Sequence, residues 1–308
     1  MEQQDWRGVF PAITTPFTKE LTVDYEALQK HVSWLVDNGC RGIVALGSLG
    51  EGATLTFDEK IEILRTCKQA LGTRAPVIPG IAALSTAEAV RLAQAAAAAE
   101  CDGLMILPPY VYRGDWRETE SHLSAVIAAT LLSCILYNNP IAYGTDIIPE
   151  QIRELAERHG NLHAVKESSG DVRRVTAIRA LLGDRLAIFV GLDDAILESA
   201  AVGAVGWVAG LVNALPRESV RLFDLVTSGQ HDEAQNLYEW FLPLLRLDTL
   251  PKFVQLIKLV QREVGRGTTT VRPPRLELEG AELDETIKVI LRQLASRRVT
   301  SVTTGSNN

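Results

Sequence analysis

Long single-signed charge runs are absent from this sequence, and its net charge is −7 at pH 7. Nucleic acids and anionic membranes are met by basic stripes, so neither is an expected partner. No apolar run reaches the roughly 18 charge-free residues of a membrane span. The N-terminus carries Glu2 and Asp5 where a secretory signal would be basic and then apolar, so the expected location is the cytoplasm. Cysteine is scarce. Cys40, Cys67, Cys101 and Cys134 stand far apart without CxxC spacing, which speaks for buried reduced thiols rather than disulfides or a thiolate metal site. His31, His122, His159, His163 and His231 show no metal-ligand spacing either, so no metal site is expected. No GxGxxG follows the first apolar run, which disfavours an open dinucleotide-binding sheet, the alternative fold for a chain of this pattern.

What the chain does have is a rhythm. Short runs rich in Val, Ile and Leu recur at 9–14, 42–46, 77–81, 103–107, 134–137, 163–166, 187–191 and 205–209. Between them lie amphipathic or Ala-rich stretches of helical length at 25–38, 58–71, 86–100, 116–130, 149–158, 172–182 and 195–202. Ser85 with Glu88 three residues on predicts a capping box at one helix start. Strands alternating with helices imply βαβ units and a parallel sheet, and eight of them predict a closed (β/α)8 TIM barrel over residues 1–216. The stretch 217–298 reads as helices only, at 218–227, 232–247, 251–264 and 283–296, a C-terminal extension packed on the barrel. The Ser/Thr/Gly/Asn-rich tail, 299–308, is expected to be disordered.

Active sites of such barrels gather at the C-terminal ends of the strands, so polar residues there are candidates for function. The second strand runs into Gly47-Ser48-Leu49-Gly50-Glu51-Gly52, whose glycines let backbone N–H groups approach a ligand carboxylate and whose Ser48 adds a hydroxyl. A tight connection without a ligand is the other reading. The fifth strand ends in Tyr137-Asn138-Asn139-Pro140, a phenol and two amides at the mouth, or an ordinary turn. The sixth ends in Val165-Lys166-Glu167-Ser168-Ser169-Gly170-Asp171. A lysine there carries an expensive charge toward a closed interior. Taking an amine out of water favours its neutral form, which attacks carbonyls; snorkelling to solvent is the alternative. The seventh strand ends in Gly191-Leu192-Asp193-Asp194, a pair suited to Mg²⁺ or, more commonly, to capping the next helix and hydrogen-bonding polar substrate groups.

Together, Gly47-Ser48-Leu49-Gly50-Glu51, Tyr137-Asn138-Asn139-Pro140 and Val165-Lys166-Glu167-Ser168-Ser169-Gly170-Asp171 closely resemble the dihydrodipicolinate synthase / N-acetylneuraminate lyase family of lysine Schiff-base aldolases. The likeness runs from Gly8-Val9-Phe10-Pro11-Ala12 to Val271-Arg272-Pro273-Pro274. It implies the barrel, the C-terminal helices, a homotetramer built from dimers, a small-molecule substrate and no cofactor. By motif position Lys166 forms the Schiff base, Tyr137 shuttles protons beside Ser48, and the amides of Ser48 and Leu49 hold the substrate carboxylate. Gly50, Asn139, Ser168, Asp193 and Asp194 are the remaining substrate-binding candidates.

Three departures bear on the substrate. Leu49 stands where synthases carry a second hydroxyl residue, which shortens the expected relay. Val111, within Pro109-Tyr110-Val111-Tyr112, stands where a neighbouring subunit supplies a tyrosine, with Tyr110 or Tyr112 as possible substitutes. Ile141-Ala142-Tyr143-Gly144 lacks the arginine that meets the second substrate of the synthases. Leu49, Tyr137-Asn138-Asn139-Pro140, Gly191-Leu192-Asp193-Asp194, Gly206-Trp207-Val208 and Tyr238-Glu239-Trp240-Phe241 together look most like the branch of 1-pyrroline-4-hydroxy-2-carboxylate deaminases in hydroxyproline breakdown. The expectation is a deaminase releasing ammonia and 2,5-dioxopentanoate. The alternatives are an aldolase for 2-oxo-3-deoxy sugar acids, a synthase-like enzyme using pyruvate, and a non-catalytic metabolite-binding barrel.

Overall fold

A computed structural model describes residues 1–296, so the expected tail at 299–308 lies outside the described residues. The eight apolar runs form the strands Gly8–Pro11 (β1), Ile43–Ala45 (β2), Val77–Ile81 (β3), Gly103–Ile106 (β4), Ser133–Asn138 (β5), Leu162–Glu167 (β6), Ala187–Val190 (β7) and Gly206–Ala209 (β8). They pair in parallel in the order β1-β8-β7-β6-β5-β4-β3-β2. The seam between β1 and β2 is closed just past β1, where Ala12 bridges Val44 and the Ile13 N–H donates to the Val44 carbonyl at 2.9 Å. The first run is therefore shorter as a strand than its apolar stretch, because its last residues turn to make this seam. The result is the (β/α)8 barrel, with a helix between successive strands.

Alternation along each strand sorts the side chains into two cores. Phe10, Val44, Ile78, Met105, Ile135, Ala164, Phe189 and Val208 fill the barrel, while alternate residues such as Cys134, Leu136 and Val165 pack beneath the helices. Trp6 plugs the N-terminal end: its ring lies 6.1 Å from Phe10 and 5.9 Å from Phe189, and its indole N–H donates to the Ser133 hydroxyl at 2.7 Å. Space for these rings comes from two glycines, since a Cβ at Gly42 would stand 2.3 Å from Phe10 and one at Gly206 2.3 Å from Phe189. The lower barrel is thus filled by aromatic and aliphatic side chains, which leaves its C-terminal mouth as the place for a ligand. All four cysteines are buried and free, and among the described residues no helix is long and apolar enough to cross a membrane.

The helical expectations differ from the structure mainly at their ends, where a one-sided apolar pattern cannot locate the last turn. Pro149–Arg158 is as expected; 116–130 ends early, at Ile127, and 195–202 shortens to Ile196–Ala201 behind a 3-10 turn. Ser85 caps Thr86–Ala98 by accepting the Glu88 N–H at 3.2 Å, while the Glu88 carboxylate turns to the Ser85 hydroxyl at 3.4 Å instead of the backbone N–H of a full capping box. Beyond the barrel come the helices Pro216–Thr227, His231–Leu245, Phe253–Glu263 and Gly280–Ala295.

One ion pair ties this extension to the mouth. Glu51, fully buried in the turn after β2, accepts from the Lys258 Nζ at 2.7 Å and from the Arg272 N–H at 3.0 Å, and Arg275 stands 3.8 Å away. Burial pushes the Lys258 ammonium down, and the Glu51 carboxylate opposes that. Removing one member of such a pair strands the other charge in a dry interior. Lys258→Met is expected to lower the unfolding free energy by about 3–5 kcal/mol, measured from the urea transition of the purified chain.

Candidate active site at the barrel mouth

Lys166 stands near the end of β6, and strand alternation decides where it points. Ala164 faces the barrel interior and Val165 faces the helices, so Lys166 faces the interior again. The side chain is 5% exposed. Its register partner on β5 is Tyr137, and the amine sits 4.1 Å above the centre of that ring. A methyl group at Gly191, just past β7, would lie 2.6 Å from Lys166 Cε and 1.8 Å from Ser168 Oγ, so the missing side chain there is what lets both groups approach.

The outward-facing neighbours, Asn138 and Glu167, lock the two strand ends together. Asn138 Nδ2 donates to Glu167 Oε2 at 3.1 Å, its Oδ1 accepts the Ile147 N–H at 2.9 Å, and Glu167 Oε1 accepts the Ser169 N–H at 2.6 Å. Asp146, also touched by Asn138, receives both arms of Arg174 at 2.6 Å, and that guanidinium holds its carboxyl below the ordinary range. Neither residue was singled out in the sequence as a positioning group, because only the pairing of β5 with β6 brings them together.

Tyr143 completes the site from an unexpected element. Asn139-Pro140-Ile141-Ala142-Tyr143 is not merely a turn but a one-turn helix, Pro140–Tyr143. Asn139 caps it through its Oδ1, which accepts the Ala142 N–H at 3.0 Å, proline occupies the first position, and Gly144 ends it at φ 71°. This small helix places the Tyr143 ring edge-on to Tyr137 at 5.6 Å and its hydroxyl in a hydrogen bond with Ser48. Burial, and then Tyr137 beside it, push the Tyr143 phenol well above its ordinary value. Asn139 also donates its Nδ2 to the Tyr137 hydroxyl at 3.0 Å, so it orients the phenol as well as capping the helix.

The expected substitutes for Val111 behave differently. Tyr110 lies tilted against Tyr143, ring centres 5.8 Å apart, whereas Tyr112 is exposed and bonds Glu118 at 3.0 Å. Val111 itself is 80% exposed. The signals for Tyr143 were present in the sequence, but one turn is too short to show a helical period. Where Leu49 shortens the expected relay, Tyr143 adds a hydroxyl that bonds Ser48 and stands beside Tyr137.

The glycine-rich turn bends sharply at Leu46 and Glu51, both non-glycine residues in the left-handed region at φ 62° and 56°. Such backbone costs about 1 kcal/mol or more per residue and gathers at functional sites. Gly50 is required by space, since a Cβ would meet the Ile13 carbonyl at 2.9 Å, and the Leu49 side chain is buried. Among the described residues the Ser48 and Leu49 amides donate to no backbone carbonyl, which suits them to an anion.

The acidic pair after β7 divides. Asp193, fully buried, accepts from the Trp207 indole at 3.1 Å, from the Gly210 N–H at 3.1 Å and from the Leu211 N–H at 2.7 Å. Burial raises its carboxyl to about 6 against the pull of these bonds and of Lys166. Both of its oxygens accept these bonds at the end of β8. Asp194 is half-buried and 3.9 Å from Arg246. Among the described residues no group of three His, Cys, Asp or Glu side chains could hold a metal.

Comparisons with known proteins agree with this fold. The sequence profile of the Dihydrodipicolinate synthetase family matches residues 5–294. The 4-hydroxy-tetrahydrodipicolinate synthase of Methanoculleus marisnigri is 33% identical over 292 residues, 93% of this chain and 99% of its own length. That of Desulforamulus reducens is 30% identical over 96% of this chain and 99% of its own. Among solved structures, the 4-hydroxy-tetrahydrodipicolinate synthase of Methylacidiphilum fumariolicum has a TM-score of 0.88 at 30% identity, covering 94% of this chain and 97% of that one. The dihydrodipicolinate synthase of Acinetobacter baumannii complexed with pyruvate has a TM-score of 0.89 at 28% identity, covering 94% and 99%.

The role of Asp193 is open to a direct measurement. Asp193→Ala would leave an indole N–H and two backbone N–H groups buried without an acceptor, and a loss of about 3 kcal/mol or more in unfolding free energy is expected. An unchanged urea midpoint with a raised KM would instead make it a substrate ligand.

Proposed function

This chain belongs to the dihydrodipicolinate synthetase family and is an enzyme of its lysine Schiff-base class; from that premise we propose that Lys166 forms a Schiff base with a small 2-oxo acid, pyruvate first among them. The observation that carries this reading is the Lys166 amine, 5% exposed and 4.1 Å above the Tyr137 ring, with Tyr143 and Ser48 continuing from that phenol. The amine adds to C2, and after proton transfers the carbonyl oxygen leaves as water, giving an iminium. The iminium acidifies C3, and the three hydroxyls carry that proton away, leaving an enamine that attacks a second carbonyl or, in reverse, follows its loss. The Ser48 and Leu49 amides would hold the C1 carboxylate. As written, these steps require neither a metal nor an organic cofactor.

The relatives are synthases by name, so the pyruvate-using reading leads over the deaminase expected from the departures. The second reading keeps one specific support: Ile141 and Ala142 offer no cation for a second substrate's carboxylate, and Ile141 is 72% exposed. On that reading Lys166 opens a hydroxylated cyclic imine by transimination, the ring hydroxyl leaves as water, and hydrolysis at the amine-bearing carbon and of the Schiff base releases ammonia and 2,5-dioxopentanoate. The homotetramer implied by the resemblance belongs to the same proposal, although Tyr143 supplies the middle of the relay within one chain.

Incubation with pyruvate and borohydride is expected to add mass to the peptide containing Lys166, and Lys166→Ala to show no added mass. An unlabelled Lys166 peptide with every 2-oxo acid tried would reject the proposal. Tyr143→Phe is expected to keep the adduct while slowing exchange of the pyruvate methyl protons with deuterium by about 100-fold, followed by NMR. Ammonia release from 1-pyrroline-4-hydroxy-2-carboxylate without any pyruvate chemistry would favour the deaminase.

A further inference from the structure

Two polar groups at the mouth remain outside the proposed chemistry. The first is Ser168 Oγ, which is buried and has no hydrogen-bond partner among the described residues. It faces the same point beyond Gly191 as Lys166 Cε. The second is Asp248, on the 3-10 turn Arg246–Thr249 that follows the helix His231–Leu245. Its carboxyl lies against Gly210 at the end of β8, where a Cβ would stand 1.9 Å from Oδ1, and it takes no hydrogen bond among the described residues. β7 and β8 are neighbours in the sheet, so Gly191 and Gly210 open adjacent strand ends, and through each gap a polar group approaches the mouth. Asp193 shows the contrast. It stands at the same place with every oxygen occupied.

We propose that Asp248 is a specificity-determining residue, the side chain that hydrogen-bonds a hydroxyl carried by the substrate beyond the carbon next to the Schiff base, with Ser168 lining the path between. This rests on the Schiff-base reading of Lys166. The preference for a hydroxyl follows from charge. Burial and then Asp193 push the Asp248 carboxyl well above its ordinary value, with Lys166 opposing. In either protonation state that carboxyl accepts the proton of a hydroxyl, whereas an anionic group of the ligand beside it and Asp193 would be opposed. A second substrate carboxylate beside Asp248 would face Asp193 and Asp194, and Arg246 on that side already stands beside Asp194. The ligand class is therefore a 2-oxo acid, or the cyclic imine of one, bearing a hydroxyl on its distal carbons, which is what the pyruvate enamine yields on adding to a second carbonyl.

The test measures borohydride-trapped adduct by intact mass against concentration for pyruvate, a 2-oxo-3-deoxy sugar acid and 2-oxoglutarate. The unaltered chain is expected to half-saturate at a lower concentration of the hydroxylated acid than of either other probe. Asp248→Ala is expected to reduce its preference for the hydroxylated acid over pyruvate by about tenfold, the worth of one good hydrogen bond. Asp248→Asn, which keeps a donor and an acceptor, should restore most of it and guards against a folding defect in the alanine variant. An unchanged preference in Asp248→Ala overturns the inference, as does a preference for 2-oxoglutarate in the unaltered chain. Absence of any adduct in the unaltered chain would sink the Schiff-base reading itself, a separate outcome.

Discussion

A closed eight-stranded barrel has an interior that side chains must fill, and everything distinctive about this chain follows from how that space is filled. Phe10, Phe189 and Trp6 take up the lower part, with Gly42 and Gly206 cut back to admit them. Polar groups inside such packing would lose water without gaining partners, so they collect where the strands end. Lys166 and Tyr137 sit at that boundary because they are register partners on adjacent strands, each two residues past an inward-facing aliphatic position.

Holding the mouth in shape takes a layer of charged and amide groups beneath the helices. Glu51 and Lys258 join the glycine-rich turn to the C-terminal extension, Asn138 and Glu167 join the ends of β5 and β6, and Asp193 gathers the start of the chain after β8. Each is a buried acceptor or donor met by the protein itself, which makes the mouth rigid and leaves other groups free for a ligand. Preorganisation of this kind is what a Schiff-base site needs, since the amine, the phenol and the carboxylate cradle must be in place before substrate arrives.

Most of this architecture was legible as pattern. Eight apolar runs at helix-spaced intervals could hardly close otherwise, and Lys166 drew attention because a lysine after an apolar strand is costly. Less legible were roles that depend on partners distant in sequence. Asn139 and Asp193 were substrate-binding candidates, and the structure adds partners that the sequence did not show: Asn139 bonds the Tyr137 hydroxyl and caps a helix, and Asp193 bonds the end of β8. Tyr143 drew notice only as part of the stretch 141–144 that lacks an arginine, and a single helical turn put its hydroxyl on Ser48. Asp248, far along the chain in a stretch that read only as helix, carried no local sign of its approach to Gly210.

Local composition by itself determined the strands, most of the helices, the absence of a basic binding surface and the lysine worth watching, because periodicity and charge act over a few residues and survive without a fold. Which hydroxyls meet, which carboxylates are spent on the protein and which are left for a ligand was decided only by the tertiary structure. Those outcomes depend on groups separated by tens to hundreds of residues in sequence and by about 3 Å in space, a relation that closing the barrel creates.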